Sequence, residues 1–587
     1  MRASQLLLAG ACAAAALFSI AFGLGFFGYP YAWATSADGK GQQEEPTAVF
    51  DWSVPDRYGF DRDGDGVIDP FDNTDDIQPE FWTVTLDGCD SEPSIVDYRW
   101  EIEQGEDRRV FEGSSGGDCE FVFDALPEEG VYQIRLQVTD ANGGVDSVSR
   151  EVVIQDWLIV GLGDSYSSGE GEPDIPWDPG TGVAAVWQDE VCHGSANSLQ
   201  SEFALLLEDV DPKTSVTFVH LACSGAKITT GELQEQPRQL SVTGVVPPQV
   251  ETLANLIGPR EIDVMLNGIG GNDVFFADIV ASCIFQEPCY LDQELTAPDP
   301  AAVEALQQAL CGELPPVGRP VCNAAVEGAA ARLVDVPFPE SAGQIFARGR
   351  DGVSESQCFF DDDAPCAGLV PGTAEGDQCR LLQCTGLTQK YALLQEDLTF
   401  FLPDFDPTRH VTYAYPDFTQ RRDDAGELVL CQPDPDDPKA SLPGVSQIEW
   451  RWARDVLLSE STPPDGALED DNLFNDPGLN FVLRDASEKY GWNYVTGLKE
   501  TYGEHGYCAD PGVYWVNHLS DVLQVEGGNG GGAVGWVHPN AGGLTAYCTG
   551  LANAIFAQLY PYAERPAFDC ASEDNPEIMA RPREPRE

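Results

Sequence analysis

The stretch Val160-Gly161-Leu162-Gly163-Asp164-Ser165-Tyr166-Ser167-Ser168-Gly169-Glu170-Gly171 sets a serine just beyond a short apolar run, Trp157-Leu158-Ile159-Val160. Such a run suits a parallel strand buried on both faces, and the turn leaving its carboxyl end is where loops and helix N-termini converge to hold negative charge. A serine there does chemistry only with a base to take its proton and donors to hold an oxyanion. Three later stretches offer such groups. His220-Leu221-Ala222-Cys223-Ser224-Gly225-Ala226 can present the backbone N–H of Gly225, and Asn267-Gly268-Ile269-Gly270-Gly271-Asn272-Asp273 can present the side-chain amide of Asn272. Trp536-Val537-His538-Pro539-Asn540 places a histidine just before a helical stretch. Together these groups are what acyl transfer from an ester needs.

Positioning them requires strands that end at one sheet edge. From Trp157 onward, apolar strand candidates at Trp157–Leu162, Val216–Leu221, Ile262–Leu266 and Val411–Tyr415 alternate with amphipathic stretches at Leu199–Leu207, Gln249–Ile257 and Ile448–Leu458. This alternation predicts a parallel α/β sheet. A last helix is expected over Ala541–Leu559, capped near Asn540. The region 157–570 is read as one domain, interrupted at about 283–384 by an insertion that holds eight cysteines. Before it, residues 46–156 alternate with period two between turn signals, as in Phe81–Leu86, Tyr98–Ile102 and Tyr132–Asp140, and predict a small all-β sandwich that Cys89 and Cys119 can bridge.

Other residues receive plainer readings. Gly113-Ser114-Ser115-Gly116-Gly117 fits a nucleophile-elbow pattern but lies among short strands, and is read as a hairpin turn. Asp164 and Asp273 are expected to brace loops by hydrogen bonding, and Glu170 to solvate the rim. His193, His220, His410, His505 and His518 are read as structural histidines. Asp61, Asp63, Asp65, Asp69 and Asp72, with Gly66 at the sharp turn, match the oxygen cage of a structural calcium loop at 61–72. The alternative is an acidic loop in an acidic protein.

The 587 residues carry a net charge of −66, which repels nucleic acid and anionic membranes. With so little lysine and arginine, a heavily hydrated surface suited to saline surroundings is expected. Met1-Arg2, the apolar run from Leu6 to about Gly28 and Ala32-Trp33-Ala34 read as a secretory signal over 1–34, with an uncleaved anchor at the outer face of the cytoplasmic membrane as the alternative. A polar linker at 35–45 follows, and the proline-rich tail 571–587 is expected to be disordered. Beyond Cys12, the other 16 cysteines form an even set, which in an exported chain implies disulfides.

The order Gly163-Asp164-Ser165, Gly225, Gly270-Gly271-Asn272-Asp273 and His538 resembles the four blocks of the SGNH (GDSL-type) hydrolase family. Cys192-His193-Gly194-Ser195, Ala222-Cys223-Ser224-Gly225 and His505-Gly506-Tyr507-Cys508 resemble its secreted bacterial esterase and lipase branch. The resemblance implies a three-layer α/β/α fold and ester hydrolysis through an acyl-serine, with no cofactor for catalysis. Ser165 would be the nucleophile and His538 the base. The N–H groups of Ser165 and Gly225 and the side chain of Asn272 would form the oxyanion hole. It also implies a Cys192–Cys223 disulfide bracing the oxyanion loop. The family often has an aspartate three residues before the histidine. Here that position is Gly535, whose carbonyl is expected to orient the imidazole in a Ser-His dyad. The segment 46–156 resembles a polycystic-kidney-disease (PKD) type immunoglobulin-like module, which implies a spacer or a contact with carbohydrate or a cell surface. Lipid, short acyl and acetylated-sugar esters are all open as substrates. A simple esterase or lipase comes first and a carbohydrate acetylesterase second; an inactive surface-binding protein is the reading from another class.

Overall fold

The computed structural model describes residues 45–571 apart from 60–76, 105–108, 179–180, 182, 238–244, 286–299, 312–318, 333–340, 361–363, 424, 433–444, 461–476, 527–534 and 561–566. The signal expected at 1–34, nearly all of the expected linker, the acidic stretch 61–72 with Asp61, Asp63, Asp65, Asp69 and Asp72, and all but the first residue of the expected tail lie outside the described residues.

The architecture is mixed α/β, with a central mixed sheet and smaller antiparallel sheets. Strands β1 (Asp51–Ser53), β2 (Trp82–Asp87) and β5 (Glu120–Leu126) form a three-stranded antiparallel sheet. Strands β3 (Ile95–Gln104), β4 (Arg109–Gly116), β6 (Gly130–Asp140) and the first half of β7 (Val145–Gly163) pair antiparallel in the order β4-β3-β6-β7. The apolar positions of these strands alternate, as the period-two pattern requires. Val84, Leu86 and Leu126 from the first sheet and Trp100, Ile102, Ile134 and Leu136 from the second therefore enter one core.

Strand β7 does not stop at the boundary expected at 156/157. Val145 to Ile154 pair with β6, and Gln155 to Gly161 pair in parallel with β8 (Thr214–His220). On the other side Ile159–Gly163 pair in parallel with the strand Val264–Gly268, which is followed outward by His410–Tyr413 and Asn493–Val495, also parallel. Asp156, buried where the pairing changes, accepts from the hydroxyls of Ser215 and Thr217 and from Arg260, each at 2.6 Å. Helices α1 (Ser165–Ser168), α2 (Leu199–Val210) and α3 (Gln249–Ile257) follow the first strands, and the long helix Ala541–Leu559 is capped by Asn540.

Two local expectations change. Residues 113–116 are not a hairpin turn. They belong to β4, with Gly113 opposite Trp100 and Gly116 opposite Tyr98, and the ring of Phe121 occupies the space where a side chain at Gly113 would stand. The helix expected over 448–458 is α-helical only over Gln447–Trp452. It then widens into a π-turn over Ala453–Leu457, where the N–H of Leu458 reaches back five residues to Ala453.

Between described residues, seven disulfides join Cys89–Cys119, Cys192–Cys223, Cys311–Cys322, Cys358–Cys384, Cys366–Cys379, Cys431–Cys508 and Cys548–Cys570. Three of them staple the insertion to itself. Such a set belongs to an oxidising compartment. Among the described residues no helix is long and apolar enough to cross a membrane.

Candidate active site

Ser165 is the first residue of α1, two residues past the end of β7 and 7% exposed. Asp164 caps the helix by accepting from the N–H of Tyr166 at 3.0 Å, and it also takes the hydroxyl of Tyr415 at 2.5 Å. Burial pushes the Asp164 carboxyl up to about 7, against the pull of those two donors. Gly163 is needed at the strand end. Its φ is +132°, and a Cβ would lie 2.4 Å from Ser167 Oγ and 2.5 Å from the carbonyl of Gly268.

Three strand ends are laced together at this edge. The N–H of Asp164 donates to Gly268 O and that of Cys223 to Gly163 O, both at 3.0 Å. Asn272 Nδ2 donates to Ala226 O at 2.9 Å, so one amide hydrogen ties the third loop to the second and the other remains for a ligand. The loop carrying Gly225 is held by the Cys192–Cys223 disulfide and by the Ser224 N–H to Cys192 O bond at 2.9 Å. Neither the N–H of Gly225, at φ +77°, nor that of Ser165, in the first turn of α1, donates to a described residue. Asp273 braces the same loop, accepting from Ile228 N and from the buried ammonium of Lys390, both at 2.9 Å.

His538 reaches this edge from the far end of the chain. Its Nε2 lies 2.7 Å from Ser165 Oγ. Nδ1 faces the carbonyl of Trp536 at 3.2 Å. A carbonyl can only accept, so Nδ1 carries the proton and Nε2 is left as the acceptor that a serine hydroxyl needs. The expectation of a Gly535 carbonyl is corrected here. That oxygen is taken by the backbone N–H of His538 itself at 3.1 Å, because residues 535–538 close a turn, and the turn brings the Trp536 carbonyl under the ring instead. Val537 sits in the left-handed region at φ +65°, an unfavourable place for a β-branched residue. It is held there by its N–H to Asn517 O at 3.1 Å and by the hydroxyl of Tyr166, which donates to Val537 O at 2.8 Å. Tyr166 also packs its ring 4.7 Å from that of His538.

Glu170 departs from its reading as a rim residue. It is 1% exposed and lies 2.8 Å from Nδ1 of His193, whose ring stacks on Trp187 at 4.3 Å. The remaining histidines are packed against the protein. His220 Nε2 meets Ser167 O at 3.2 Å, and burial pushes its pKa down to about 4. His410 is buried beside Trp492, and His505 and His518 meet the carbonyls of Val513 and Tyr507, each at 2.6 Å.

Sequence reading passed over Tyr166, Trp536, Asn517 and Glu526, all of which shape the histidine turn. Tyr166 adjoins the serine and could have been suspected. The others carry no local signal, since only the folded chain brings them together.

No family profile matches the chain, and neither does any curated protein. Among solved structures, carbohydrate-binding modules of the β-sandwich superfamily align at 19% identity over 19% of this chain and 34% of theirs, TM-score 0.13. A carbohydrate esterase whose active site displays divergent catalytic and non-catalytic binding functions aligns at 11% identity over 38% of this chain and 65% of its own, TM-score 0.13. A carbohydrate acetylesterase from Xanthomonas citri aligns at 11% over 34% and 50%, also at TM-score 0.13. In all three the match spans less than two thirds of the other chain, and overlaps this slight carry no argument about fold or activity.

Proposed function

We propose that this protein is an exported serine hydrolase of SGNH type that cleaves carboxylic esters through an acyl-serine intermediate. The single observation that carries the reading is the 2.7 Å approach of His538 Nε2 to Ser165 Oγ, made by residues 373 positions apart. In the first half-reaction Ser165 Oγ attacks the ester carbonyl carbon while its proton passes to Nε2. The carbonyl oxygen becomes an oxyanion held by the N–H groups of Ser165 and Gly225 and by the amide of Asn272. Collapse of the adduct breaks the bond to the alcohol, which leaves with the proton from Nε2. A water then gives a proton to Nε2 and attacks the acyl carbon, and Ser165 recovers its proton as the acid departs. The Trp536 carbonyl holds the imidazole in the required tautomer throughout. On this reading residues 46–156 form a PKD-like module in front of the hydrolase domain, and the disulfides suit an extracellular enzyme.

Hydrolysis of chromogenic esters of increasing acyl length, with Ser165→Ala as control, tests the reading. Ser165→Ala should remove all hydrolysis above background, and activity surviving in it would refute the nucleophile. The chain-length optimum separates a lipase from an esterase, and activity confined to acetylated sugars would favour a carbohydrate acetylesterase.

A further inference from the structure

The nucleophile loop and the histidine turn meet at a buried group that the reaction as written does not use. Glu170 follows α1, and its N–H donates to Ser165 O at 3.1 Å. Its carboxylate meets His193 from the disulfide-braced loop at 2.8 Å. The next residue, Gly171, packs against the turn of His538. A Cβ on Gly535 would lie 2.4 Å from Cα of Gly171 and 2.6 Å from Oε1 of Glu526, so this turn, the chain at 170–171 and the end of the helix Leu519–Val525 are in close contact. Asn517 completes the junction, its amide reaching the carbonyls of Gly171 at 3.5 Å and Pro539 at 3.3 Å.

We propose that Glu170 is a positioning residue of this site: its buried carboxylate, fixed by His193 and backed by Glu526, supplies across the 535–538 turn the counter-charge for the His538 imidazolium. The inference rests on the Ser165–His538 reading and adds to it the source of negative charge that an acid on the imidazole gives in a full triad. Burial alone would push the Glu170 carboxyl up. The field and hydrogen bond of His193 and the field of His538 outweigh burial and hold it below the usual carboxylate range. Glu526 goes the other way. Burial, then the charge of Glu170, push it well above the usual range, with the field of Glu172 adding. The opposite directions of the two shifts leave the proton on Glu526 and the negative charge on Glu170. The groups facing Glu170 include His193, His538 and Glu526, and those facing His538 include the Ser165 hydroxyl, the Tyr166 ring, the Trp536 carbonyl and Glu170.

The pH dependence of kcat and kcat/KM, measured on the full chain with a short-chain chromogenic ester, tests this. In Glu170→Gln the acid limb of kcat/KM, which reads the imidazole, should move down by about one pH unit. Its kcat should fall by about tenfold or more with KM changed less than about twofold. Glu526→Gln removes a proton-bearing carboxyl but no charge, so its acid limb should stay where the unaltered chain has it. Glu170→Asp keeps the charge, and its limb should likewise stay near that of the unaltered chain even where its melting temperature falls; this arm stands if Glu170→Gln does not fold. An unmoved limb in Glu170→Gln, or equal displacement by Glu526→Gln and Glu170→Gln, would overturn the proposal. So would a Glu170→Asp limb shifted as far as one without the charge. Hydrolysis that persists in Ser165→Ala would instead sink the underlying reading, which keeps the two failures apart.

Discussion

Strand β7 runs through two regimes of burial on one backbone. Up to Gln155 its residues are mostly exposed or half-buried, and from Asp156 to Gly163 every one is buried. The region on its amino side follows the first regime: β6 alternates, and its sheets bury Trp100, Ile134 and Leu136 while their charged side chains stay in water. The region on its carboxyl side follows the second, where β8 and the strand Val264–Gly268 are buried at every position. Covering both faces of a sheet traps whatever polar groups its ends carry, and each must find a partner or shift its charge. Gln249 answers by clasping both backbone groups of Gly163 at 2.9 Å, and Gln200 by donating to Leu162 O at 2.9 Å and Leu266 O at 3.2 Å. The candidate active site is assembled in this second regime. The first region has the more ordinary core, while the second holds buried polar groups whose desolvation costs free energy unless each is paired.

Paired substitutions sharpen that contrast. Asn272→Ala should lower kcat by about 10² to 10³-fold with little change in melting, as loss of one oxyanion donor does. Trp100→Ala, in the other core, should cost about 3 to 5 kcal/mol of stability and leave kcat nearly unchanged below its melting point. Thermal unfolding and steady-state kinetics on both variants check the pair, and a kinetic defect in Trp100→Ala would break the comparison. The two early disulfides make a closer match, because Cys89–Cys119 and Cys192–Cys223 close loops of nearly equal separation, 30 and 31 residues. Chain entropy therefore assigns both about 3 to 4 kcal/mol. Replacing both cysteines of either by serine should lower stability alike, but only the Cys192/Cys223 pair should also lower kcat, because it frames the loop of Gly225.

A smaller effect concerns pH. Burial raises Asp164 and Glu172 to about 7 and Glu202 and Glu232 to about 8, all in the second region. A carboxyl whose folded pKa is raised holds a proton that the unfolded chain has lost, so stability declines as pH climbs from the unfolded value near 4 toward the folded value. The melting temperature should accordingly be higher at pH 5 than at pH 8, and the opposite order would contradict these assignments.

The parts legible in sequence were those set by local pattern. The strand end at Gly163, the loops that carry Gly225 and Asn272 beyond their strands, and the capped helix Ala541–Leu559 follow from apolar runs meeting glycine, or from an Asn cap. What escaped depends on the third dimension. Glu170 between two glycines looked like a solvent-facing turn residue, and nothing nearby in the chain announced His193 or Glu526 as its neighbours. Likewise the choice between the carbonyls of Gly535 and Trp536 turns on how residues 535–538 close, which spacing alone does not encode. The continuity of β7 was hidden for the opposite reason: the change in burial at Asp156 reads as the end of one element, although the backbone pairing runs on.

The central claim is that Ser165 is a nucleophile activated by His538. Treating the folded chain with a fluorophosphonate and mapping the adduct by peptide mass spectrometry tests it most directly. The predicted result is a single adduct on the peptide containing Ser165, formed quickly in the unaltered chain and slowed by several orders of magnitude in His538→Ala. Labelling at another residue, or labelling of Ser165 at an unchanged rate without His538, would contradict it.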